Sequence, residues 1–387
     1  MTTSRDLVQS LLGSLGTASV PPITLLDSIA TDRSTAETLA ARHGIDQTTV
    51  YRAFDPLHQE SLISDADGAY ALTGLGAVIR YQYHRILDAG PADRDALAFI
   101  AASPHRARLL ARLSEAPARK ADLCRRETDP SRTTVHRAVE AFLDRGWVAR
   151  VPATGQYATT ADGRAVVEQY TALETAIEQA LSRAAFLQCC PPEIEDIPLD
   201  ALAAARQVVN DVTAPDRTLA ALDDAVDAGV TELRAFQSHV STRLAEIYDP
   251  VVRSDAPMEI ITTDRILTKL PDDGRYSEHV RRGLRAKNVT LLVVPGLDTL
   301  PIGLAIHTDD MVVMMPATPG QVPDGDGSFQ AGMIVGTEPA LLDWANDLYE
   351  RYRAEARSPL QHVIQGLLRR IRAGGSGSGQ WSVRSGE

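Results

Sequence analysis

An eight-residue run recurs in this chain 85 positions on with five residues unchanged: QTTVYRAF at 47–54 and RTTVHRAV at 132–139. Thr48, Thr49, Val50, Arg52 and Ala53 recur as Thr133, Thr134, Val135, Arg137 and Ala138, and the flanks keep step. Leu25 and Leu26 answer to Leu109 and Leu110 at an offset of 84, while Tyr70, Thr73 and Gly76 answer to Tyr157, Thr160 and Gly163 at 87. A drift this small belongs in turns and loops, where insertions are tolerated. The repeat constrains all else, because both copies must adopt the same supersecondary unit.

The unit is easiest to read in the second copy. PHRARLLARLSEAP predicts a first helix over Leu109, Leu110 and Leu113, and ARKADLCRRE a second over Leu123. Ser131 caps a third, whose Val135, Ala138, Val139 and Phe142 recur at helical spacing and leave Arg132, Thr133, His136 and Arg137 on other faces. Trp147 to Val151 and Gln156 to Thr160 then alternate as strands about a Pro-Ala-Thr-Gly turn. Helix, helix, helix and hairpin is the order of a winged helix-turn-helix. The third helix of such a unit carries short hydroxyls and forked cations near its N-terminus, where they meet base edges and phosphates of duplex DNA. The DNA-contact candidates are therefore Gln47, Thr48, Thr49 and Arg52 in the first copy, and Arg119, Lys120, Arg132, Thr133, Thr134, His136 and Arg137 in the second. A solvated amphipathic helix is the plainer alternative.

A net charge of -12 is unusual for a DNA binder, and its distribution matters. Residues 1–87 carry 6 Arg against 9 acids, 88–170 carry 13 cations against 11 acids, and the rest carries 20 against 31. Only the second copy is basic. Phosphate contacts should concentrate there, on Arg106, Arg108, Arg112, Arg119, Lys120, Arg125 and Arg126 besides the third helix. No apolar run approaches the length of a bilayer span, and the N-terminus lacks a signal-peptide pattern, so a cytoplasmic protein is expected. Cys124, Cys189 and Cys190 are too few and wrongly spaced for a zinc site or a disulfide framework and read as reduced structural thiols. No metal and no cofactor is expected.

Past the second hairpin, Val166, Tyr170, Leu173, Ile177, Ala180, Ala184 and Leu187 keep a heptad-like seam. Such a seam suits a helix that pairs in a homodimer; a helix lying on its own effector domain would show the same spacing. Residues 193–250 read as mostly helical and acidic. MEIITTD at 258–264, VTLLVV at 289–294, IGLAIHT at 302–308, MVVMM at 311–315 and FQAGMIV at 329–335 then read as strands, with TELRAF at 231–236 a further candidate. Helices fall near 241–252, 265–287 and 339–356, which together predict an α/β sheet domain. Strand exits in such sheets face a binding crevice, which singles out Thr262, Thr263, Asp264 and Arg265, with His307 approaching from a neighbouring strand. The plainer alternative has Thr263 or Asp264 capping the next helix.

FIAASPHRARLLARLSEAP, RTTVHRAVEAFLDRGWV, YATTADGRAVVEQY, LPIGLAIHTDDMVV and PALLDWANDLYERYRAEA, taken in order, resemble haloarchaeal winged-helix transcriptional regulators. The acidic composition, with only three lysines among 39 cations, is similar to haloarchaeal proteomes. The carboxyl half resembles the effector domain of the methanogenesis-regulator type, distantly similar to TrmB-like sensors. That resemblance implies a sensor fold like phospholipase D domains, whose chemistry needs a histidine with a lysine two residues on. Neither His239-Val-Ser241 nor His279-Val-Arg281 supplies the pair, and no phosphate loop, HExxH or nucleophile elbow occurs, so no catalytic residue is assigned.

The expected organisation is mixed α/β: a first winged helix with its connecting helix over 1–87, a second over 88–165, a linker or dimerisation helix over 166–190, an α/β effector domain over 191–372 and a flexible Gly/Ser tail over 373–387. The expected function is a sequence-specific regulator that binds double-stranded DNA as a homodimer, does not enter a membrane and responds to a small-molecule effector. A protein-interaction adaptor, its winged helices binding partner proteins, is the alternative.

Overall fold

The computed structural model describes residues 3–13, 20–124, 129–210, 213–214, 216–237, 242–269, 282–283, 285–297, 300–308, 310–316 and 332–359. Arg125, Arg126, His239, Ser241, His279, Arg281 and the tail, all considered above, lie outside them. The chain divides into two compact units, 1–203 and 204–387.

In the N-terminal unit, α1 (Ser4–Leu12) precedes α2 (Pro22–Thr31), strand β1 (Ser34–Thr35), α3 (Ala36–His43), α4 (Gln47–Gln59), the hairpin β2 (Ile63–Ala66) and β3 (Ala69–Leu72), and α5 (Gly74–Ala89). The second copy repeats this order. It has α6 (Arg94–Ala101), α7 (Pro104–Glu115), a 3-10 turn at Asp122–Cys124, α8 (Arg132–Asp144), the hairpin β4 (Val148–Val151) and β5 (Gln156–Thr159), and α9 (Ala161–Ser182). Local chemistry explains the helix starts. Asp46, Thr73, Ser131 and Thr160 each accept the N–H three residues on, satisfying a donor that the first turn would leave orphaned. The helix expected over ARKADLCRRE shrinks to the 3-10 turn among the described residues. Ala118 exchanges both backbone hydrogen bonds with Tyr157 and so acts as a strand, while the Arg112 guanidinium donates to the carbonyls of Asp122 and Leu123.

The seam on α9 is buried, but not between subunits. Val166, Tyr170, Leu173, Ile177 and Ala180 are each at most 3% exposed and pack inside the unit, where α9 lies against α1 and α5. The helix that α9 pairs with is its own counterpart in the first copy: at the wing offset of 87, Gln82 and Tyr83 of α5 match Gln169 and Tyr170 of α9, and all four are buried. The seam is therefore buried within its own unit and is no free dimer surface. Gln169 also secures the Asp88-Ala-Gly-Pro-Ala92 break between the copies, accepting from the Ala92 N–H at 2.7 Å and donating to the Ile86 carbonyl at 2.9 Å. Downstream, α10 (Ala184–Leu187), a 3-10 turn at Pro192–Ile194 and α11 (Leu199–Ala204) complete this unit, with Arg80 of α5 bridging Asp27 and Glu195 at 2.8 and 3.2 Å. Cys190 is buried, and burial raises its thiol pKa well above the ordinary value, as the structural reading requires.

The C-terminal unit is a seven-stranded mixed sheet in the order β6-β12-β11-β10-β7-β8-β9. Its strands are β6 (Arg206–Val208), β7 (Leu233–Phe236), β8 (Met258–Thr263), β9 (Val289–Val294), β10 (Ile302–His307), β11 (Met311–Pro316) and β12 (Met333–Gly336). β7, β8 and β9 run parallel and the other pairs antiparallel. One face is covered by α12 (Arg217–Asp227) and α13 (Thr242–Arg253), whose Leu219, Leu222, Ile247 and Val251 close a core with Leu233, Val313 and Met333. A short α14 (Asp264–Lys269) follows β8. α15 (Pro339–Glu355) packs on β7, β9, β10 and β11, stacking Tyr349 on Phe236 with ring centroids 5.4 Å apart. β6 escapes sequence reading because three residues inside a helical stretch carry no period. Among the described residues no helix is long and apolar enough to cross a membrane.

Candidate nucleic-acid interface

The third helix of the second copy is built as its spacing predicts. Val135, Ala138, Val139 and Phe142 of α8 are buried, and Arg132, Thr133, His136 and Arg137 are exposed, with Thr134 half-buried beside its cap. Among the described residues neither Arg132 nor Arg137 has a hydrogen-bond or ion-pair partner, so both guanidinium forks face solvent. Two further groups extend this face. Arg119 donates to the Thr154 carbonyl at 3.1 Å and ties the turn to the hairpin tip. Arg150, exposed on β4, stands opposite Tyr157 in the register, which places both side chains on one face of the hairpin. Arg150 was missed in the sequence, although the alternation of VARV marks it as an outward strand residue beside the turn.

Other cations of this copy are engaged within the fold. Arg112 holds Asp129 at 2.9 Å, and Asp129 has a side chain only 4% exposed, so the pair staples the turn before α8. Arg106 donates to the Phe99 carbonyl at 2.7 Å and covers the Phe99 ring from one side, 3.8 Å from its centroid, while Arg145 approaches that ring at 3.5 Å. Lys120 pairs with Glu140, stands 3.1 Å from His136 Nδ1 and lies over the Tyr157 ring. The hydrogen bond and charge of Lys120 hold the Glu140 carboxyl below its usual range. Arg106, Arg112 and Lys120 thus each have a partner within the fold, unlike Arg132 and Arg137.

The same face in the first copy has the opposite character. Gln47, Thr48 and Arg52 are exposed on α4 and Thr49 is half-buried, but Asp65 of β2 replaces Arg150 at the shared offset of 85. Gln47 likewise replaces Arg132, and Asp67 adds a charge at the hairpin tip.

In the sheet unit, Thr262 and Thr263 are buried at the exit of β8. Thr262 donates to the Gln237 carbonyl beyond β7 at 3.1 Å, and Asp264 accepts from Gly296 N–H beyond β9 at 3.2 Å, so this pair joins three parallel strand exits. Asp264 and Arg265 open α14. His307 is not among them. It pairs across from Leu233, which pairs with Met258 at the start of β8, so it lies at the opposite end of the sheet. There it is 1% exposed with Nε2 3.1 Å from the Tyr248 hydroxyl, and burial pushes its pKa down to about 4.

Residues 15–93 and 94–182 each match the model of the HVO_A0261 N-terminal domain, and residues 215–355 match that of the middle domain of the methanogenesis regulatory protein FilR1. No curated protein matches the chain. Solved structures with similarity include the archaeal chromatin protein TrmBL2, 11% identical over 67% of this chain and 93% of that one, with a TM-score of 0.29. The phospholipase D family member Nuc from Salmonella typhimurium is 10% identical over 40% and 97%, with a TM-score of 0.31. These TM-scores are too low to carry an inference.

Proposed function

We propose that this chain is a DNA-binding transcription regulator of haloarchaeal type, with two tandem winged helices in its N-terminal unit and a non-catalytic sensor in its C-terminal unit. The observation that carries the reading is the open face of the second copy, where Arg132 and Arg137 on the third helix and Arg150 on the hairpin point outward without internal partners among the described residues. Forked cations on a helix N-terminus suit bidentate guanine contacts, and one on the hairpin suits phosphate. Two matches to an HVO_A0261 N-terminal domain and one to a domain of a protein named as regulatory support the same reading.

Arg132→Ala and Arg137→Ala are each expected to weaken specific binding by about 1 to 3 kcal/mol, and Arg52→Ala by less. Arg150→Ala should weaken binding to all sequences alike and lower the salt slope by about one. Fluorescence anisotropy of the full chain on its native operator, over a salt series, measures both. A larger loss from Arg52→Ala would make the first copy the principal reader.

The sensor site of this reading is the exit of β7, β8 and β9, where Thr262 and Thr263 are buried and Asp264 and Arg265 follow. A ligand that prefers the folded state raises the melting temperature by mass action. Small metabolites are expected to do so for the full chain, with Arg265→Ala reducing the shift. A broad metabolite screen without any shift would remove the sensing role.

A further inference from the structure

The two copies differ in one cleft, and the second copy shows what the first is shaped to hold. Between α8 and its hairpin, the Lys120 ammonium pairs with Glu140, stands 3.1 Å from His136 Nδ1 and lies 5.1 Å from the Tyr157 ring centroid. The repeat offsets turn Glu140 into Asp55, His136 into Tyr51 and Tyr157 into Tyr70. Carboxylate and ring thus recur, and a second aromatic ring stands where the imidazole was. Arg150 becomes Asp65, which faces the cleft from the register position opposite Tyr70. The lysine does not recur. At the offset of 84 that relates the preceding helices Lys120 matches Ala36, and residues 1–87 contain no lysine at all.

What remains in the first copy is a cavity of about 410 Å³ lined by Tyr51, Phe54, Asp55, Asp65 and Tyr70 together with Arg52 and His58. Tyr51 is 51% exposed, an unusual position for a large ring. The phenol of Tyr70 has its pKa raised by burial and then by the charge of Asp65. Asp55 receives one hydrogen bond, from Gln59 Nε2 at 3.1 Å, and keeps an oxygen for another donor. The counterpart of Arg52 is Arg137, which does not prevent Lys120 from seating in the second copy.

We propose that this cleft binds a small organic ammonium ion, held by Asp55 and Asp65 and stacked against Tyr51 and Tyr70 as Lys120 is held in the second copy. Two carboxylates supply charge-assisted acceptors, and two rings supply faces that attract a cation. The site is independent of DNA binding by α8.

Isothermal titration of the full chain with spermidine, and in parallel with n-butylammonium, tests it at constant ionic strength. One saturable site per chain is expected. Asp55→Asn combined with Asp65→Asn, both exposed and nearly isosteric, should weaken it by at least about tenfold without moving the melting temperature. Tyr51→Ala should weaken it alone, because a diffuse counter-ion atmosphere does not need a ring. Lys120→Ala, which vacates the counterpart cleft, should raise the stoichiometry to two. Absence of saturable binding, or affinity unchanged in the Asp55 and Asp65 double variant, would overturn the proposal; an unchanged stoichiometry in Lys120→Ala would overturn the equivalence on which it rests.

Discussion

Replacing Leu173 by Asp is expected to unfold the N-terminal unit rather than to produce monomers. Leu173 is 1% exposed and Ile177, one turn on, is fully buried, both on the face of α9 that packs into its own unit. Truncating such a leucine alone costs about 2 to 5 kcal/mol, and an unpaired carboxylate in the same place adds several more. The sum of roughly 5 kcal/mol or more reaches the whole stability of an ordinary domain. Far-UV circular dichroism and sedimentation, read together, measure the outcome. A folded variant of half the native mass would restore the seam as a surface between subunits.

Gly163→Ala should be the next most damaging change, and Gly76→Ala its equal in the other copy. A Cβ at Gly163 would stand 2.0 Å from the Trp147 carbonyl oxygen, and one at Gly76 the same distance from that of Leu62. Neither carbonyl is free to retreat. Trp147 O accepts the Thr160 N–H at 2.9 Å, and Leu62 O accepts the Thr73 N–H at 3.0 Å, fixing each hairpin to the cap of the helix that follows. Overpacking against backbone gives about 3 kcal/mol or more of destabilisation. Urea denaturation reads it directly, and a loss below about 1 kcal/mol in both variants would mean that the hairpins yield.

The glycine pair shows why so much of the N-terminal unit was legible. Thr73 and Gly76 recur as Thr160 and Gly163 because each copy must solve the same close approach, so the repeat reports a packing constraint that neither copy alone makes visible. The C-terminal sheet was legible where strands reach six residues, as in β8 to β11, and illegible at β6, where three residues offer no alternation to read.

Sequence by itself determined the two copies, the capped start of each third helix, and the outward face of Arg132, Thr133, His136 and Arg137. Those properties depend on contacts within a turn or two of chain, and spacing records such contacts. Only the tertiary structure decided which cations remain available, since Arg106, Arg112 and Lys120 resemble Arg132 and Arg137 as letters but meet Phe99, Asp129 and Glu140 across the fold. It likewise turned the α9 seam onto α5 and placed His307 at the far end of the sheet from Thr262. A charge or an apolar stripe is a local property of the chain. Its partner is a relation between distant positions, set by how elements pack and not by the period of any one of them.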